Sequence, residues 1–370
     1  MTKKGKEAGT VVIFIVLLLF ILLMALELVW AGHCLKHMHY RATLEKSLSE
    51  PGETIIQTAY ISNHSRLPVL YAGLMADYPE NVDFEESPAW QKKYLRRSGL
   101  QKSTAYSLYL YPRTRSRLQV HLSCRSRGVY HFGTHYLEAG DLFGLRSRTR
   151  KGMCEQRLVV MPRRCTSPIV LDSLGGLMGD ISVRRFLFED PVLTVGLREY
   201  TGREPMKSIS FLHTARSGKM LVKQYDHTAD YHVTVVLNID GAAPEQAETC
   251  FEIARTALEM LEKKKIAYEF VTNADLFTPA GLLSWMAEGL GKRHFEKIMW
   301  GLGTSRCVCM ESFASLVEKC KKRRRMALSY VLITPPVNEN SRAAYQALCR
   351  LSETPVCVLD TAMAQEVEDG

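Results

Sequence analysis

The spacing of apolar and polar positions divides the chain into three regimes. Residues 11–26 carry no polar side chain, and after Glu27 the apolar run resumes through Gly32. Roughly 20 mainly apolar residues match the hydrocarbon core of a bilayer, and Trp30 suits its interfacial belt, so this stretch predicts one membrane-spanning helix. A cleaved signal peptide is the alternative, with Val29-Trp30-Ala31 as its cleavage site, although the apolar run exceeds what a signal core needs. From Glu53 to Met161 the pattern changes to short runs of period two, at 54–62, 104–110, 117–122, 129–132, 136–139 and 157–161. Turn residues such as Asn63-His64-Ser65 separate them, which argues for an antiparallel β-sandwich.

The third regime alternates strands with helices. Residues 231–240 are a near-continuous β-branched and aliphatic run ending in Asp240-Gly241, the pattern of a buried parallel strand. A helix follows at 245–264, with Ala247, Cys250, Phe251, Ala254, Ala257, Leu258 and Leu261 on one face. Further strands are expected at 220–225, 268–272, 327–333 and 356–359, and helices at 282–290, 293–301, 309–322 and 341–351. Such alternation implies a parallel, Rossmann-like sheet covered on both faces. Residues 162–197, with Gly175-Gly176, show no clear period and are expected to be a connector. The fold class is therefore α+β multidomain. Its expected parts are an N-terminal tail and transmembrane helix (1–40), a β-sandwich (41–165), a connector (166–197) and an α/β domain (198–370).

Charge adds little. A formal net charge of +9 would suit an anionic partner, but a solvated, mildly basic surface accounts for most of it. The densest basic run is Lys319, Lys321, Lys322, Arg323, Arg324 and Arg325, and with no interleaved aromatic residue it gives no reason to expect nucleic acid. Ten cysteines show neither a CxxC pair nor zinc-ligand spacing, so free thiols in a reducing compartment are expected. His33, Cys34, His37 and His39 could form a metal site, with polar residues flanking an apolar helix as the plainer reading. There is no GxSxG, P-loop, HExxH or strand-borne GxGxxG, which disfavours an enzyme.

Two ordered blocks carry a resemblance. The first is Arg127-Gly128-Val129-Tyr130, then Asp141-Leu142-Phe143-Gly144-Leu145, then Leu158-Val159-Val160-Met161-Pro162. The second is Arg198-Glu199-Tyr200, Glu204-Pro205, Lys207, Ile209, Phe211, Ala215-Arg216, Gly218 and Leu221-Val222, closed by the strand that ends in Asp240. Over roughly residues 41–370 the chain resembles the domain of unknown function 58 family, membrane-anchored bacterial proteins with a von Willebrand A-like domain that are associated with MoxR-type AAA+ ATPases. The resemblance implies a non-enzymatic, membrane-anchored interaction or scaffold protein with such an ATPase as its partner. Arg198, Tyr200, Glu204, Lys207, Phe211, Ala215, Arg216 and Gly218 would be its signature or partner-binding surface.

The chain departs from the family at Arg203-Glu204, where relatives tend to carry Gly-Asp, and at Phe211, where they tend to carry Trp. Arg198, Glu204 and Arg216 could instead form a buried ionic network that holds the connector. A von Willebrand A domain binds a divalent cation through Asp-x-Ser-x-Ser, but this chain reads Asp240-Gly241-Ala242-Ala243-Pro244, and Thr334-Pro335-Pro336 supplies no acid. No cofactor or metal is expected, and Asp240 is expected to cap a helix or shape a loop. A metal-dependent extracellular adhesion module is the alternative function. Lys3, Lys4 and Lys6 before the apolar run nearly balance Lys36, Arg41 and Lys46 after it. The thiols and the resemblance then favour a single-pass protein of the cell membrane with its C-terminal domain in the cytoplasm.

Overall fold

The computed structural model describes residues 3–84, 93–98, 101–140, 147–187, 194–202, 204–225, 232–322, 329–352 and 354–365. It divides into two compact units, Met1–Met161 and Pro162–Gly370. The quoted 141–145 block, Arg203 and Arg323 to Arg325 lie outside the described residues.

The first unit begins with helix α1 (Lys3–His37). It leads into β1 (Met38–Leu44), β2 (Leu48–Ser49), β3 (Thr54–Asn63), β4 (Val69–Pro79) and β5 (Val82–Phe84). Then come β6 (Lys93–Ser98), β7 (Gln101–Leu110), β8 (Arg115–Cys124), β9 (Gly128–Gly140) and β10 (Ser147–Val160). One sheet has the order β1-β3-β8-β5 and the other β2-β10-β9-β4-β7-β6. Alternation along each strand turns every second side chain inward. In β3 these are Ile55, Gln57, Ala59, Ile61 and Asn63, and in β8 they are Leu118, Val120, Leu122 and Cys124. They share one core with Leu74, Tyr106, Leu137 and Leu158 of the second sheet, so the alternating regime folds as a β-sandwich. A polar chain crosses this core. Tyr78 donates its hydroxyl to Gln57 Oε1 at 2.6 Å, and Gln57 donates Nε2 to Gln156 Oε1 at 2.7 Å. Burial holds the Tyr78 hydroxyl well above its ordinary pKa, so it stays a donor.

The expected membrane span is not supported. Among the described residues, no helix is long and apolar enough to cross a membrane. The end of α1 belongs to the sandwich instead. Cys34 and Leu35 are buried in its core beside Met38, and Trp30 packs against it. This corrects the transmembrane part of the fold class and the single-pass placement drawn from it.

The second unit opens with α2 (Pro168–Leu187), a 20-residue helix where a connector was expected. Val170, Leu174, Met178 and Ile181 are buried at a helical spacing that the interspersed glycines had hidden. It packs on elements that come later in the chain. Next come β11 (Thr194–Glu199), a 3₁₀ turn (Met206–Ser208), α3 (Phe211–Ser217) and β12 (Leu221–Tyr225). The α/β part then runs β13 (His232–Leu237), α4 (Pro244–Lys264), β14 (Ala267–Thr272), β15 (Phe277–Thr278), β16 (Gly281–Leu282) and β17 (Trp285–Gly289). It closes with α5 (Lys292–Thr304), α6 (Phe313–Lys322), β18 (Ser329–Thr334), α7 (Glu339–Leu351), β19 (Cys357–Asp360) and α8 (Ala362–Gln365).

Its main sheet has the order β17-β14-β13-β18-β19. The strand ending before Asp240 lies at the centre, parallel to β14 and β18, and β19 extends the parallel set. The helix expected at 282–290 is instead β16, a turn and β17, which pairs antiparallel with β14. Trp285 and Met286 then lie opposite Val271 and Phe270, a cross-strand contact that outweighs helical propensity. Helix α4 buries its apolar face, and each large side chain fully removed from water there contributes about 1.5–3 kcal/mol.

Candidate functional site

Two places in the second unit concentrate the residues that the sequence singles out. The first is the C-terminal edge of the parallel sheet, where α/β folds commonly place their chemistry. Asn238, Asn273 and Thr334 follow or end β13, β14 and β18, and all three are buried. Asn238 donates Nδ2 to Thr334 Oγ1 at 2.9 Å, and Asn273 donates Nδ2 to Asn238 Oδ1 at 2.7 Å. The backbone N–H groups of Ile239 and Asp240 donate to Asn273 Oδ1 and Asn238 Oδ1 at 2.9 and 3.0 Å. Asp240 Oδ2 accepts the N–H of Phe313, the first residue of α6, at 2.9 Å. Nearby, buried Asp275 accepts from Ser305 Oγ at 2.6 Å and from the backbone N–H groups of Arg306 and Val308.

These side chains satisfy one another, as buried polar groups must. Among the described residues, no group of three or more His, Cys, Asp or Glu could hold a metal ion. Sequence reasoning found Asp240 and missed Asn238, Asn273 and Asp275. The available signal was a polar residue directly after each apolar strand.

The second place is the signature segment itself. Strand β11 pairs antiparallel with β12, setting Arg198 opposite Val222 and Glu199 opposite Leu221. Ile209 bridges to Val222, and both are buried. Thr214 binds the two ends together. Its Oγ1 accepts the N–H of Leu221 at 3.0 Å, and its carbonyl accepts the N–H of Gly218 at 3.0 Å. Gly218 closes α3 at φ 70°, a left-handed position where glycine carries no steric penalty.

Glu204 organises the preceding turn. Its carboxylate accepts from Arg198 Nη1 at 2.6 Å, from Thr201 Oγ1 at 2.7 Å and from Thr201 N at 3.1 Å. The Thr201 hydroxyl, with the Arg198 guanidinium and the Thr201 N–H behind it, pulls the carboxyl down to about 2. Arg198 and Glu204 thus meet. Arg216 stands exposed on α3 with no ion pair among the described residues, so a buried three-residue network does not form. Lys207, Phe211, Ala215 and Gly218 are exposed, and Tyr200 is half-buried. Met206, Phe211 and Leu212 are 71, 67 and 62 % exposed. Lys219 pairs with Glu199 at 2.6 Å on the surface.

The remaining sequence candidates separate. Cys34 is buried with its thiol toward the Pro68 carbonyl, while His33 and His37 stack at 4.5 Å between ring centroids, so the four residues of that patch do not converge. Lys319 pairs with Glu311 at 2.6 Å and Lys321 lies 3.5 Å from Glu318. All ten cysteines are free, and burial pushes the thiols of Cys124, Cys250 and Cys320 up to about 12.

No protein-family model matches the chain, and no curated protein sequence matches it. Solved structures give only distant likenesses. A cohesin module from a Clostridium perfringens family 33 glycoside hydrolase covers 33% of this chain and 96% of its own, at 12% identity and a TM-score of 0.24. A non-cellulosomal cohesin from Archaeoglobus fulgidus covers 33% and 90%, at 15% identity and 0.24. The CARDB domain of a Pyrococcus furiosus protein covers 33% and 86%, at 8% identity and 0.22. Likeness at this level carries no argument about what the chain does.

Proposed function

We propose that the chain is a non-enzymatic interaction protein that docks a partner on the surface formed by the 3₁₀ turn and α3. The observation that carries this reading is the exposure of Met206, Phe211 and Leu212 within the segment that bears the resemblance. A seven-residue helix with no buried side chain adds little to its own unit's core. Large apolar side chains clustered at a surface fit a protein contact. The same segment carries exposed Lys207 and Arg216 with the Arg198–Glu204 and Lys219–Glu199 pairs, charged groups of the kind that rim an apolar contact. The self-satisfied edge around Asp240 supports interaction over catalysis.

The resemblance suggests the class of partner, a MoxR-type AAA+ ATPase. Titrating the full chain with such an ATPase, loaded with a non-hydrolysable ATP analogue, tests the proposal. Saturable binding is expected, weakened ~30-fold or more in F211A/L212A, because central anchors of an interface dominate its energy. The variant should melt like the parent, since neither side chain is buried. Absence of binding, or binding indifferent to both substitutions, would reject the proposal.

A further inference from the structure

The outer face of the four-stranded sheet gathers cations at one end, around the start of β1 and the end of β3. His39 and Arg41 on β1, Tyr60 and Ser62 on β3, and Arg115 on β8 all point away from the core. Register places His39 beside Ser62 and Ser62 beside Arg115, with Arg41 beside Tyr60. Arg113 and His64 follow on at the same end, and together these residues line a cavity of about 550 Å³. That volume lies within the roughly 300–1,000 Å³ range of small-molecule sites.

Among the described residues, the lining holds Arg41, Arg113, Arg115, His39 and His64 and no aspartate or glutamate. Among the described residues, no carboxylate pairs with any of the three arginines. Chance clustering of like charges is unfavourable, so the arrangement asks for an anion.

The cavity is also built. The Arg115 guanidinium carbon lies 3.7 Å over the centroid of the Tyr60 ring, which fixes the plane of the fork and leaves its N–H edges to donate. Arg113 is held at φ 55°, a left-handed conformation that costs a non-glycine residue energy, and its N–H donates to the Ser65 carbonyl at 3.1 Å. Asn63 is buried below and donates Nδ2 to the carbonyls of Leu67 and Tyr111 at 2.8 and 3.1 Å. Its Oδ1 accepts from the Ser65 N–H and hydroxyl at 3.0 and 2.7 Å, so the floor of the cavity is rigid. Ser62 Oγ lies 3.1 Å from His64 Nε2, and the His39 and His64 rings meet edge to face at 5.0 Å.

We propose that this cavity binds a phosphorylated small molecule, with the phosphoryl group held by Arg41, Arg113 and Arg115. Guanidinium forks match the geometry of phosphate oxygens, and three of them more than neutralise a dianion. The volume left over would hold the organic part of the ligand, with the hydroxyl of Ser62 and the histidine rings along it.

Isothermal titration of the full chain with inorganic phosphate and with ribose 5-phosphate tests the proposal. Both should bind one to one and compete, with ribose 5-phosphate the tighter. R41Q/R115Q should weaken both by roughly ten- to hundredfold, the loss that removal of charge-assisted hydrogen bonds brings. R342Q/R350Q removes the same charge from exposed positions of α7 and should change neither. Circular dichroism of each variant confirms folding, and R113G provides a second lesion that leaves the strands untouched. Three results would overturn the proposal: no saturable heat with either compound, equal affinity in R41Q/R115Q, or binding of inorganic phosphate with ribose 5-phosphate excluded.

Discussion

Asp240 Oδ2 accepts the backbone N–H of Phe313 at 2.9 Å, so the carboxylate at the end of the central strand caps a helix 73 residues further along the chain. It replaces one of the intrahelical acceptors that the first turn of α6 lacks. Asp240→Ala should cost about 1 kcal/mol, the usual size of a lost cap, while Asp240→Asn keeps an acceptor and should cost less. Urea denaturation with and without magnesium measures both effects. If Asp240 acted through a cation, magnesium would stabilise the parent and not D240A.

Glu204 ties residues 198–204 together as an anion, and its carboxyl stands at about 2 because Thr201 and Arg198 hydrogen-bond the charged form. A carboxyl depressed in the folded state contributes stability above its unfolded value, near 4.3, and loses it as pH falls toward the folded value. Amide exchange at Thr201, whose N–H donates to Glu204, should therefore accelerate as pH falls from about 4.3 toward 2, relative to the intrinsic rate. E204Q should show fast exchange throughout that window.

Much of this architecture was legible because it rests on period. Alternation gave the inward faces of β3 and β8, and the β-branched run gave β13 at the centre of its sheet. What stayed hidden was set by tertiary partners. Strand β17 is a strand because β14 offers it an edge, and nothing local in Trp285 to Gly289 says so. Helix α2 was obscured by its glycines, which weaken helical propensity while Val170 and Leu174 supply the packing. Arg255 lies on the apolar face of α4, 1 % exposed, a position that an apolar pattern cannot assign to a cation. Its compensation comes from Glu259 at 2.9 Å and from the Pro162 carbonyl, on an unrelated part of the chain.

The candidate sites divide in the same way. Phe211 and Arg216 were singled out by their order in the chain, and the structure places both at the surface. The cavity on the sandwich could not be found from order. His39, Arg41, Ser62 and Arg115 come from three strands, and only their register makes them neighbours.

Arg113 combines a cation with a left-handed backbone, so its two roles can be pulled apart. Replacing it with glycine relieves roughly 1–2 kcal/mol of steric cost and adds about 0.5–1 kcal/mol of chain entropy to be lost on folding. R113G should therefore melt no lower than the parent and gain up to about 1.5 kcal/mol by thermal denaturation. Phosphate affinity should nevertheless fall, which separates a lost ligand contact from a damaged fold.

Protonation of His39 gives the last expectation. Burial lowers its pKa first, and the neighbouring His64, Arg150 and His37 lower it further. Arg150 approaches from β10, where it also donates to the Met38 carbonyl, His37 ends α1, and His64 follows β3. The ring is therefore largely neutral at pH 7 in the empty cavity, and a bound anion would draw a proton onto it. Anion affinity should rise as pH falls below about 6.5, through the lowered value. Sulfate is the suitable probe because its charge does not change in that range, whereas phosphate loses charge as His39 gains it. The pH dependence of sulfate binding should flatten in His39→Gln while binding at pH 7 changes little. A dependence that survives the substitution would exclude His39 as its source.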